Sequence, residues 1–311
     1  MSFWEDKKTL VTGGHGFLGS YVLDELKARG ATEIVAPTSQ DCDLTSSYAV
    51  EKLLEIHQPN IVLHMAARVG GIGANKARPA DFFYQNLMMG VQLFHQSFLH
   101  KVDKFVSVGT VCCYPKHTPI PFKEEDLWDG YPEETNAPYG LAKKMLLVAG
   151  DAYRNQYDFQ SIFLLPANLY GPKDDFSEAT SHVIPALIKR CVEAKKSGSE
   201  ELLVWGTGRA TREFLYVKDA ARAIVEAAEK YQDPEPLNIG TGQEVSIREL
   251  VEQIRDLTGF AGRLRWDQSK PDGQPRRCLD TSRARNAFGF EAEVQLEEGL
   301  RETIDWYLSQ N

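Results

Sequence analysis

Tyr139 and Lys143 are the pair that points most directly to proton transfer, within the segment N-A-P-Y-G-L-A-K. Asn136 as a cap and Pro138 in a first turn favour a helix, and residues four apart then lie on one helical face. A lysine beside a phenol stabilises the phenolate and lowers the tyrosine pKa, so Tyr139 could transfer a proton near neutral pH. Because the spacing establishes only a shared face, an exposed helical pair is the alternative interpretation.

A second group of candidates follows a predicted strand upstream of this helix. The β-branched run Phe105–Val111 predicts a buried strand that ends at Gly109 and Thr110. The Thr110 hydroxyl could hydrogen-bond the same substrate oxygen as Tyr139, which would make a proton-transfer site for a carbonyl or carbinol. Cys112 is two residues further in the same alternation and would point into the same cleft, although a free cysteine is also commonly a small buried hydrophobe.

The N-terminal segment predicts a dinucleotide site. A short strand, Thr9–Thr12, is followed at once by G-G-H-G-F-L-G, and apolar spacing then predicts a helix that stops near Gly30. Glycines between a strand and a helix let the backbone approach a pyrophosphate at the helix N-terminus. The residues expected to contact a cofactor here are Gly13, Gly16, Phe17, Leu18 and Gly19.

The next predicted strand, Glu33–Ala36, leaves the choice between NAD and NADP open. An acidic residue after this strand would hold the ribose hydroxyls of NAD, whereas an arginine would favour the extra phosphate of NADP. The sequence has P-T-S-Q at 37–40 and offers neither. Asp43 and Leu44 are candidates for the adenine edge, although Asp43 would serve equally well as the N-cap of a predicted helix Thr45–His57.

A third apolar strand, Asn60–Ala67, ends in Ala66 and Ala67, whose small side chains suit close approach to a cofactor. His64 lies inside the apolar run, and we interpret it as a packing residue. The glycine-rich loop from Arg68 to Asn75 could line a substrate. This strand end adds a further element to the predicted cofactor site.

Strands alternate with helices through the first half of the chain, which predicts the α/β class with a doubly wound parallel sheet of the Rossmann type. Ligands of such sheets bind at the carboxyl ends of strands, where Gly13, Ala66 and Thr110 all fall. After residue 165 turn-rich segments predict a smaller C-terminal substrate domain. We expect a dinucleotide-binding domain of residues 1–168 plus about 213–240, and a substrate domain of residues 169–212 plus about 241–311.

A cluster of positive charge in the second region is the candidate substrate clamp. It comprises Arg212, Lys270, Arg276 and Arg277, the last three within K-P-D-G-Q-P-R-R. Guanidinium groups bind phosphates through paired hydrogen bonds, so the cluster could hold a diphosphate. Solvated surface charges are the alternative interpretation. Trp205 could stack on a nucleobase or simply pack.

Composition narrows the class of partner. The 311-residue chain has a formal charge of −9 and a pI near 5.4, which argues against nucleic acid or an anionic membrane as the main partner. No apolar run approaches the roughly 18 residues that span a bilayer, and the charged N-terminus predicts no signal peptide. Five cysteines without framework spacing suggest a reducing cytoplasm. No metal site is expected, because Cys112 and Cys113 would point to opposite faces of a strand.

The motif T-G-G-H-G-F-L-G, Thr110 and Tyr139-x-x-x-Lys143 together resemble the extended short-chain dehydrogenase/reductase family, which acts largely on nucleotide sugars. Further segments resemble its GDP-L-fucose synthase branch: G-T-V-C-C-Y-P, N-L-Y-G-P-K-D-D-F, S-H-V-I-P-A-L, V-W-G-T-G, R-E-F-L-Y-V-K-D and K-P-D-G-Q-P-R-R. The resemblance covers essentially the whole chain. It implies NADP(H)-dependent 3,5-epimerisation and 4-reduction of a GDP-4-keto-6-deoxysugar by a homodimer. GDP-colitose synthase and simple 4-ketoreductases share such a site and stay as alternatives.

The resemblance also implies roles for single residues. Thr110, Tyr139 and Lys143 match the reductase triad, while Cys112 and His182 match the epimerisation base and acid. To act as a thiolate, Cys112 would need a nearby cation, which Lys143 or a protonated His182 is expected to supply. The residues at or near substrate-contacting positions are Asn168, Arg190, Trp205, Arg212 and Arg277.

Some positions depart from the family pattern. Thr110 stands where serine is frequent, which keeps the hydroxyl and adds a methyl group. Pro37 and Ser39 replace the arginines that some members place after the second strand, and His15 occupies a loop position that is arginine in some members. NADP(H) remains the cofactor that the resemblance implies, with less support than usual from these residues.

Overall fold

The computed structural model describes residues 2–70, 72–178, 180–270 and 272–310, apart from the side chains of Ile72 and Ala74. Gly71 of the predicted glycine-rich loop and Pro271 of the predicted clamp segment therefore lie outside the described residues.

Strands and helices alternate along the described chain. The strands are β1 (Lys8–Thr12), β2 (Glu33–Val35), β3 (Ile61–His64), β4 (Lys104–Val108), β5 (Ser161–Pro166), β6 (Asn168–Tyr170), β7 (Glu201–Trp205), β8 (Thr211–Arg212), β9 (Phe214–Tyr216), β10 (Leu237–Ile239), β11 (Val245–Ser246) and β12 (Arg263–Asp267). The helices are α1 (Phe17–Ala28), α2 (Ser47–His57), α3 (Ile72–Ala77), α4 (Pro79–Leu99), α5 (Ala137–Tyr157), α6 (Val183–Lys196), α7 (Val217–Lys230), α8 (Ile247–Thr258), α9 (Ser282–Phe288) and α10 (Leu296–Gln310).

The central sheet has six parallel strands in the order β10-β5-β4-β3-β1-β2. Helix α1 packs against α7, and α4 packs between α2 and α5, so two groups of helices flank the sheet. The predicted doubly wound α/β fold is therefore confirmed. The chain leaves β1 toward β2 on one side and returns to β3 on the other, which opens a crevice at the carboxyl ends of β1 and β3.

Gly13 sets the width of that crevice. Its φ of +74° lies in the left-handed region, and a Cβ built on it would lie 2.7 Å from the Ala66 backbone nitrogen. Any other residue would push the ends of β1 and β3 apart. His64 at the end of β3 is fully buried, and its Nδ1 lies 2.8 Å from the Thr12 Oγ1, in line with the packing role expected for it.

The segment after β4 differs from the prediction. The strand ends at Val108, and a short 3-10 helix forms at Val111–Cys113, capped by Thr110. Strand alternation therefore does not place Cys112, because the Thr110 Oγ1 accepts a hydrogen bond from the Cys112 backbone N–H and turns the chain. Cys112 and Cys113 accordingly lie on a turn and not on opposite faces of a strand.

Two hydrophobic clusters make up the core. The larger surrounds the parallel sheet and takes in Leu279 and Phe290 from the C-terminal region. The smaller involves α6, α8 and α10 and takes in Phe214 and Tyr216 from β9. Both clusters thus draw on both of the ranges assigned above to two domains, and those domain bounds stay a prediction. Within the described ranges, no helix combines the length and apolar character that a membrane crossing requires.

Candidate active site

A cleft of about 1970 Å³ opens at the carboxyl ends of the sheet strands. Every residue predicted to contact a cofactor lines it: Gly13, Gly16, Phe17, Leu18, Gly19, Asp43, Leu44, Ala66, Ala67, Tyr139 and Lys143. All five predicted catalytic residues line it as well, namely Thr110, Cys112, Tyr139, Lys143 and His182.

The glycine loop fits a dinucleotide pyrophosphate. Gly16 is the N-cap of α1 and supplies no side-chain cap, so the first N–H groups of the helix are left for a ligand. A Cβ on Gly19 would lie 2.0 Å from the Gly13 carbonyl oxygen, so the loop can fold this tightly only with glycine there. The residues present therefore suit a nicotinamide dinucleotide at the crevice between β1 and β3.

The alternative interpretation, in which Asp43 is the N-cap of α2, does not hold. The Asp43 carboxylate accepts hydrogen bonds from the Thr45 N–H at 2.9 Å and the Thr45 hydroxyl at 2.7 Å, while Ser46 caps the helix by accepting from the Ala49 N–H. Asp43 thus closes a turn at the rim of the cleft. These bonds lower the pKa of the Asp43 carboxyl, so it is charged at neutral pH.

The Tyr139 and Thr110 hydroxyls lie close enough to interact deep in the cleft. Burial raises the pKa of the Tyr139 hydroxyl, and neighbouring Cys112 adds to this effect. The expected lowering by Lys143 is not found, since Lys143 is not among the groups that shift the Tyr139 pKa. Burial lowers the pKa of the Lys143 ammonium itself to about 8. Tyr139 consequently holds its proton at neutral pH and is suited to donate it to a carbonyl oxygen.

Lys143 is almost completely enclosed, with 2% of its surface exposed. Its Nζ donates a long hydrogen bond, 3.4 Å, to the Ala66 carbonyl oxygen at the end of β3. An ammonium group has three donors, so this single bond leaves donors for a ligand in the cleft. The geometry suits contact with the ribose of a bound dinucleotide.

Helix α5 presses directly on the turn that carries Cys112. A Cβ on Gly140 would lie 2.3 Å from the Cys112 carbonyl oxygen, so only glycine permits this contact. The Cys113 thiol is buried and lies 3.3 Å from the Gly140 carbonyl oxygen. Tyr139 and the turn at Thr110 are therefore held in register by one close helix contact.

Arg277, and not Lys143 or His182, has a direct contact with the Cys112 thiol. Its Nη1 lies 4.0 Å from the Cys112 Sγ, and its Nε donates to the Gln274 side-chain oxygen. Partial desolvation lowers the pKa of His182, which stands at the N-cap of α6 and opens to the cleft. His182 is thus neutral at pH 7, and the expected role of a protonated His182 as counter-ion does not hold.

Arg212 and Arg277 form a compact cationic pair in the cleft. Burial and the nearby Arg277 charge lower the pKa of Arg212 to about 10. The Arg212 Nη1 donates a hydrogen bond to the Thr211 carbonyl oxygen at 2.6 Å. Both Arg212 and Arg277 line the cleft. Two neighbouring guanidinium groups repel each other, and a doubly negative ligand such as a diphosphate would relieve that repulsion by pairing with both.

The other members of the predicted clamp lie elsewhere. Arg276 is ion-paired with Glu244, and Lys270 lies over the Trp205 ring with its Nζ 5.6 Å from the centroid. Neither Lys270 nor Arg276 lines the cleft. Of the four residues of the predicted diphosphate clamp, therefore, only Arg212 and Arg277 line the cleft.

The remaining substrate candidates divide between the cleft and its surroundings. Asn168 and Trp205 line the cleft, and Asn168 donates to the Glu213 carbonyl oxygen at 2.9 Å. Arg190 does not line it, because its guanidinium donates to the Leu203 carbonyl oxygen and supports β7. Trp205 is 64% exposed, so one ring face is open to a ligand.

Sequence reasoning missed a polar network beside Tyr139. Asn136 makes no side-chain cap on α5; its amide donates to Glu133 at 2.7 Å and accepts from the Asn75 Nδ2 at 3.0 Å. The predicted loop from Arg68 also folds into a short helix, α3, that brings Asn75 here. No periodicity in this glycine-rich segment pointed to that contact.

Comparisons with known proteins place these features in a family. Residues 9–240 match the NAD dependent epimerase/dehydratase family. The chain is 43% identical to GDP-L-fucose synthase 1 of Arabidopsis thaliana over 301 residues, 97% of this chain and 93% of that one. It is 38% identical to GDP-L-fucose synthase of Escherichia coli (strain K12) over 313 residues, 97% of each chain. It is 34% identical to GDP-L-colitose synthase of Yersinia pseudotuberculosis over 305 residues, 97% of this chain and 98% of that one.

Solved structures agree with this placement. A GDP-L-fucose synthetase from Naegleria fowleri bound to NADP superposes with a TM-score of 0.90 at 28% identity and covers 100% of this chain and 96% of that one. A GDP-6-OMe-4-keto-L-xylo-heptose reductase from C. jejuni superposes with a TM-score of 0.93 at 29% identity, with 100% of both chains covered. The chain belongs to the NAD dependent epimerase/dehydratase family, and within it to the group of the GDP-L-fucose synthases.

Proposed function

We propose that this protein converts GDP-4-keto-6-deoxy-D-mannose to GDP-L-fucose by 3,5-epimerisation and NADP(H)-dependent 4-reduction. The observation that carries the proposal is that Cys112 and His182 line the same cleft as Thr110, Tyr139 and Lys143. A plain ketoreductase needs only the last three residues. The relatives named GDP-L-fucose synthase, at 38% and 43% identity over nearly the whole chain, support the same reading.

Epimerisation would begin at Cys112. A ketone at C4 makes the hydrogens on C3 and C5 acidic, so a thiolate can take one while the electron pair moves to the C4 oxygen. Tyr139 and Thr110, whose hydroxyls lie close to each other, would stabilise that enolate oxygen. His182, which is neutral at pH 7, would first take up a proton from solvent and then give it to the same carbon on the opposite face.

Reduction would follow at C4 in the same cleft. The bound nicotinamide dinucleotide supplies a hydride to that carbon. Tyr139 donates its proton to the C4 oxygen, for which its raised pKa suits it, and Thr110 holds the same oxygen. Lys143 positions the ribose of the cofactor and compensates the charge left on Tyr139.

The ends of the two ligands would be held by separate groups. Gly13, Gly16 and Gly19 with Phe17, Leu18, Asp43, Leu44, Ala66 and Ala67 would bind the cofactor. Arg212 and Arg277 would bind the diphosphate of the GDP-sugar. Trp205 would stack on the guanine and Asn168 would contact the sugar, whereas Arg190 would act by supporting the β7 backbone.

Two related activities are the alternatives. The Yersinia pseudotuberculosis relative is a GDP-L-colitose synthase, and the C. jejuni neighbour is a GDP-heptose reductase. Both would be compatible with the same reductase residues. Stereochemistry at C3 and C5 separates them from the proposed reaction.

The deciding experiment is turnover of GDP-4-keto-6-deoxymannose with NADPH in heavy water, followed by mass and stereochemical analysis of the product. Deuterium at both C3 and C5 of a fucose product is expected. NADPH oxidation without ring deuterium would identify a simple 4-ketoreductase, and no reaction would direct the search to other nucleotide sugars, the colitose precursor first. Cys112→Ser should abolish the exchange and leave reduction of the ketone measurable.

We further propose a cytoplasmic homodimer. All five cysteines are free, which fits a reducing compartment. Exposed apolar side chains on the adjoining helices α4 and α5, including Phe83, Val91 and Val148, fit an interface between two copies. Light scattering of the purified protein tests the dimer, with a monomer at micromolar concentration as the contrary result.

A further inference from the structure

The rim of the cleft after β2 is where a dinucleotide carries its 2′ substituent. In Rossmann folds the residues after this strand contact the adenosine ribose, and an arginine there recognises the 2′-phosphate of NADP. Neither the glycine loop, residues 13–19, nor the segment 36–45 contains arginine or lysine. His15, Pro37, Thr38 and Ser39 line the cleft at this place.

Thr38 makes its hydrogen bonds within the turn, to Asp41. Its backbone N–H and its hydroxyl both donate to the Asp41 Oδ2, at 2.8 and 2.7 Å. These bonds lower the pKa of the Asp41 carboxyl, as does the nearby His15. The turn therefore keeps a negative charge beside the ribose position, with Asp43 supplying a second one. A phosphate dianion would meet repulsion here, whereas a ribose diol would not.

His15 is tied to the end of β2 in a way that fixes its tautomer. Its Nε2 lies 2.9 Å from the Ala36 carbonyl oxygen, and a carbonyl can only accept, so the proton sits on Nε2. Nδ1 is left out of this bond, and as an acceptor it suits a 2′-hydroxyl better than a 2′-phosphate.

We propose that this protein discriminates only weakly between NADP(H) and NAD(H), and that His15 is the residue that senses the 2′ position. The inference rests on the nicotinamide cofactor of the proposed function and goes beyond it, because it adds NADH as a usable reductant. An arginine contact with a phosphate is a charge-assisted, frequently bidentate bond, so its replacement by one histidine removes most of the selectivity.

Calorimetric titration of the purified protein with NADP⁺ and with NAD⁺ tests the proposal without any sugar turnover. At pH 8 the two dissociation constants should agree within about tenfold, because neither the glycine loop nor the segment 36–45 offers an arginine or lysine to the phosphate. Thr38→Arg should tighten NADP⁺ about tenfold or more and leave NAD⁺ nearly unchanged. NADP⁺ binding that is more than about a hundredfold tighter than NAD⁺ binding in the unaltered protein at pH 8 would overturn weak discrimination.

The role of His15 is tested by repeating both titrations with two variants at this position. His15→Gln keeps an amide donor for the Ala36 carbonyl, whereas His15→Arg places a permanent positive charge at the ribose. His15→Arg should tighten NADP⁺ about tenfold or more and leave NAD⁺ nearly unchanged, while His15→Gln should change the ratio of the two dissociation constants by less than about threefold. A ratio that does not change in His15→Arg would overturn the role of His15. The heavy-water assay at saturating NADPH remains a separate test of the proposed reaction.

Discussion

At the scale of single residues, the contact between Arg277 and Cys112 sets the first prediction. Arg277→Met should slow alkylation of Cys112 by iodoacetamide at pH 7 by about five- to tenfold, because the thiolate loses the cation facing it at 4.0 Å. Cys112 is half-buried and the other four cysteines are buried, so labelling reports on this thiol. Mass spectrometry of the labelled peptide gives the rate.

The neighbouring residue offers a matched control for this experiment. Arg276→Met removes the same charge from the chain, but Arg276 is paired with Glu244 and does not line the cleft. Its labelling rate should equal that of the unaltered protein. Equal slowing in both variants would mean that long-range charge, and not the contact with Cys112, governs the rate.

The second prediction at this scale concerns Lys143, whose buried ammonium group is proposed to serve the reaction but lowers the stability of the fold. Its folded-state pKa of about 8 lies below the unfolded value of 10.5, so the folded protein binds fewer protons between these pH values. Stability therefore rises with pH across this window, and below it the full cost of burying the ammonium is present. Lys143→Met should be more stable at pH 7 by on the order of 3 kcal/mol, with loss of ketone reduction.

Urea unfolding at pH 7 and pH 9.5 measures this effect, since the advantage of Lys143→Met should shrink at the higher pH. Lys144→Met is the contrasting variant. Lys144 is buried too, but it donates to the Leu127 carbonyl and lies over the Trp128 ring at 3.9 Å. Its replacement should destabilise the protein. A pH-independent gain for Lys143→Met would argue against an ammonium titrating in this window.

At the scale of elements, the contact of α5 with the turn after β4 positions Tyr139, Thr110 and Cys112, the proposed catalytic groups. Gly140→Ala would place a Cβ 2.3 Å from the Cys112 carbonyl oxygen, so either the helix or the turn must shift. We expect a loss of about 1–3 kcal/mol in unfolding free energy and a fall in both epimerisation and reduction. Gly73→Ala in α3 is the control for the unfolding free energy, because a Cβ there meets nothing within 4 Å.

The same turn shows what the sequence can and cannot predict about elements. Periodicity located β1, α1 and β3 to within a few residues, because each has a run or a face of apolar residues packed in the core. It did not show that the chain leaves β4 at Val108, since the turn at Val111–Cys113 is made by a hydrogen bond from the Cys112 N–H to Thr110. Both residues reach the cleft, but by a turn that strand alternation could not predict.

Residues far apart in the chain were the harder part of the site. Arg212 and Arg277 were expected in one clamp because of their charge, and the structure does bring them together. Arg276 and Lys270 were predicted to belong to the same clamp because of their charge. Instead, Arg276 pairs with Glu244 and Lys270 lies over the Trp205 ring, and neither lines the cleft. Which cations face a cleft depends on long-range pairing, which a local pattern does not encode.

At the scale of the whole molecule, one buried carboxylate joins the segments that carry the clamp. Glu213, 2% exposed, accepts from the Leu279 N–H at 2.7 Å, the Thr241 N–H at 2.6 Å and the Gly242 N–H at 2.9 Å. It is adjacent to Arg212 in sequence, and Leu279 follows Arg277 by two residues. The carboxylate therefore fixes the spacing between the two arginines through the backbone on either side.

Glu213→Gln tests this link, because it keeps the shape but turns one acceptor oxygen into a donor that faces a backbone N–H. The free energy of unfolding should fall by about 1–3 kcal/mol through the unsatisfied buried groups. The KM for the GDP-sugar should rise severalfold, since the two guanidinium groups lose their fixed separation. Glu200→Gln, which removes an exposed carboxylate, should change neither quantity. A lowered stability with an unchanged KM would mean that Glu213 supports the core alone, and that the clamp is spaced by other contacts.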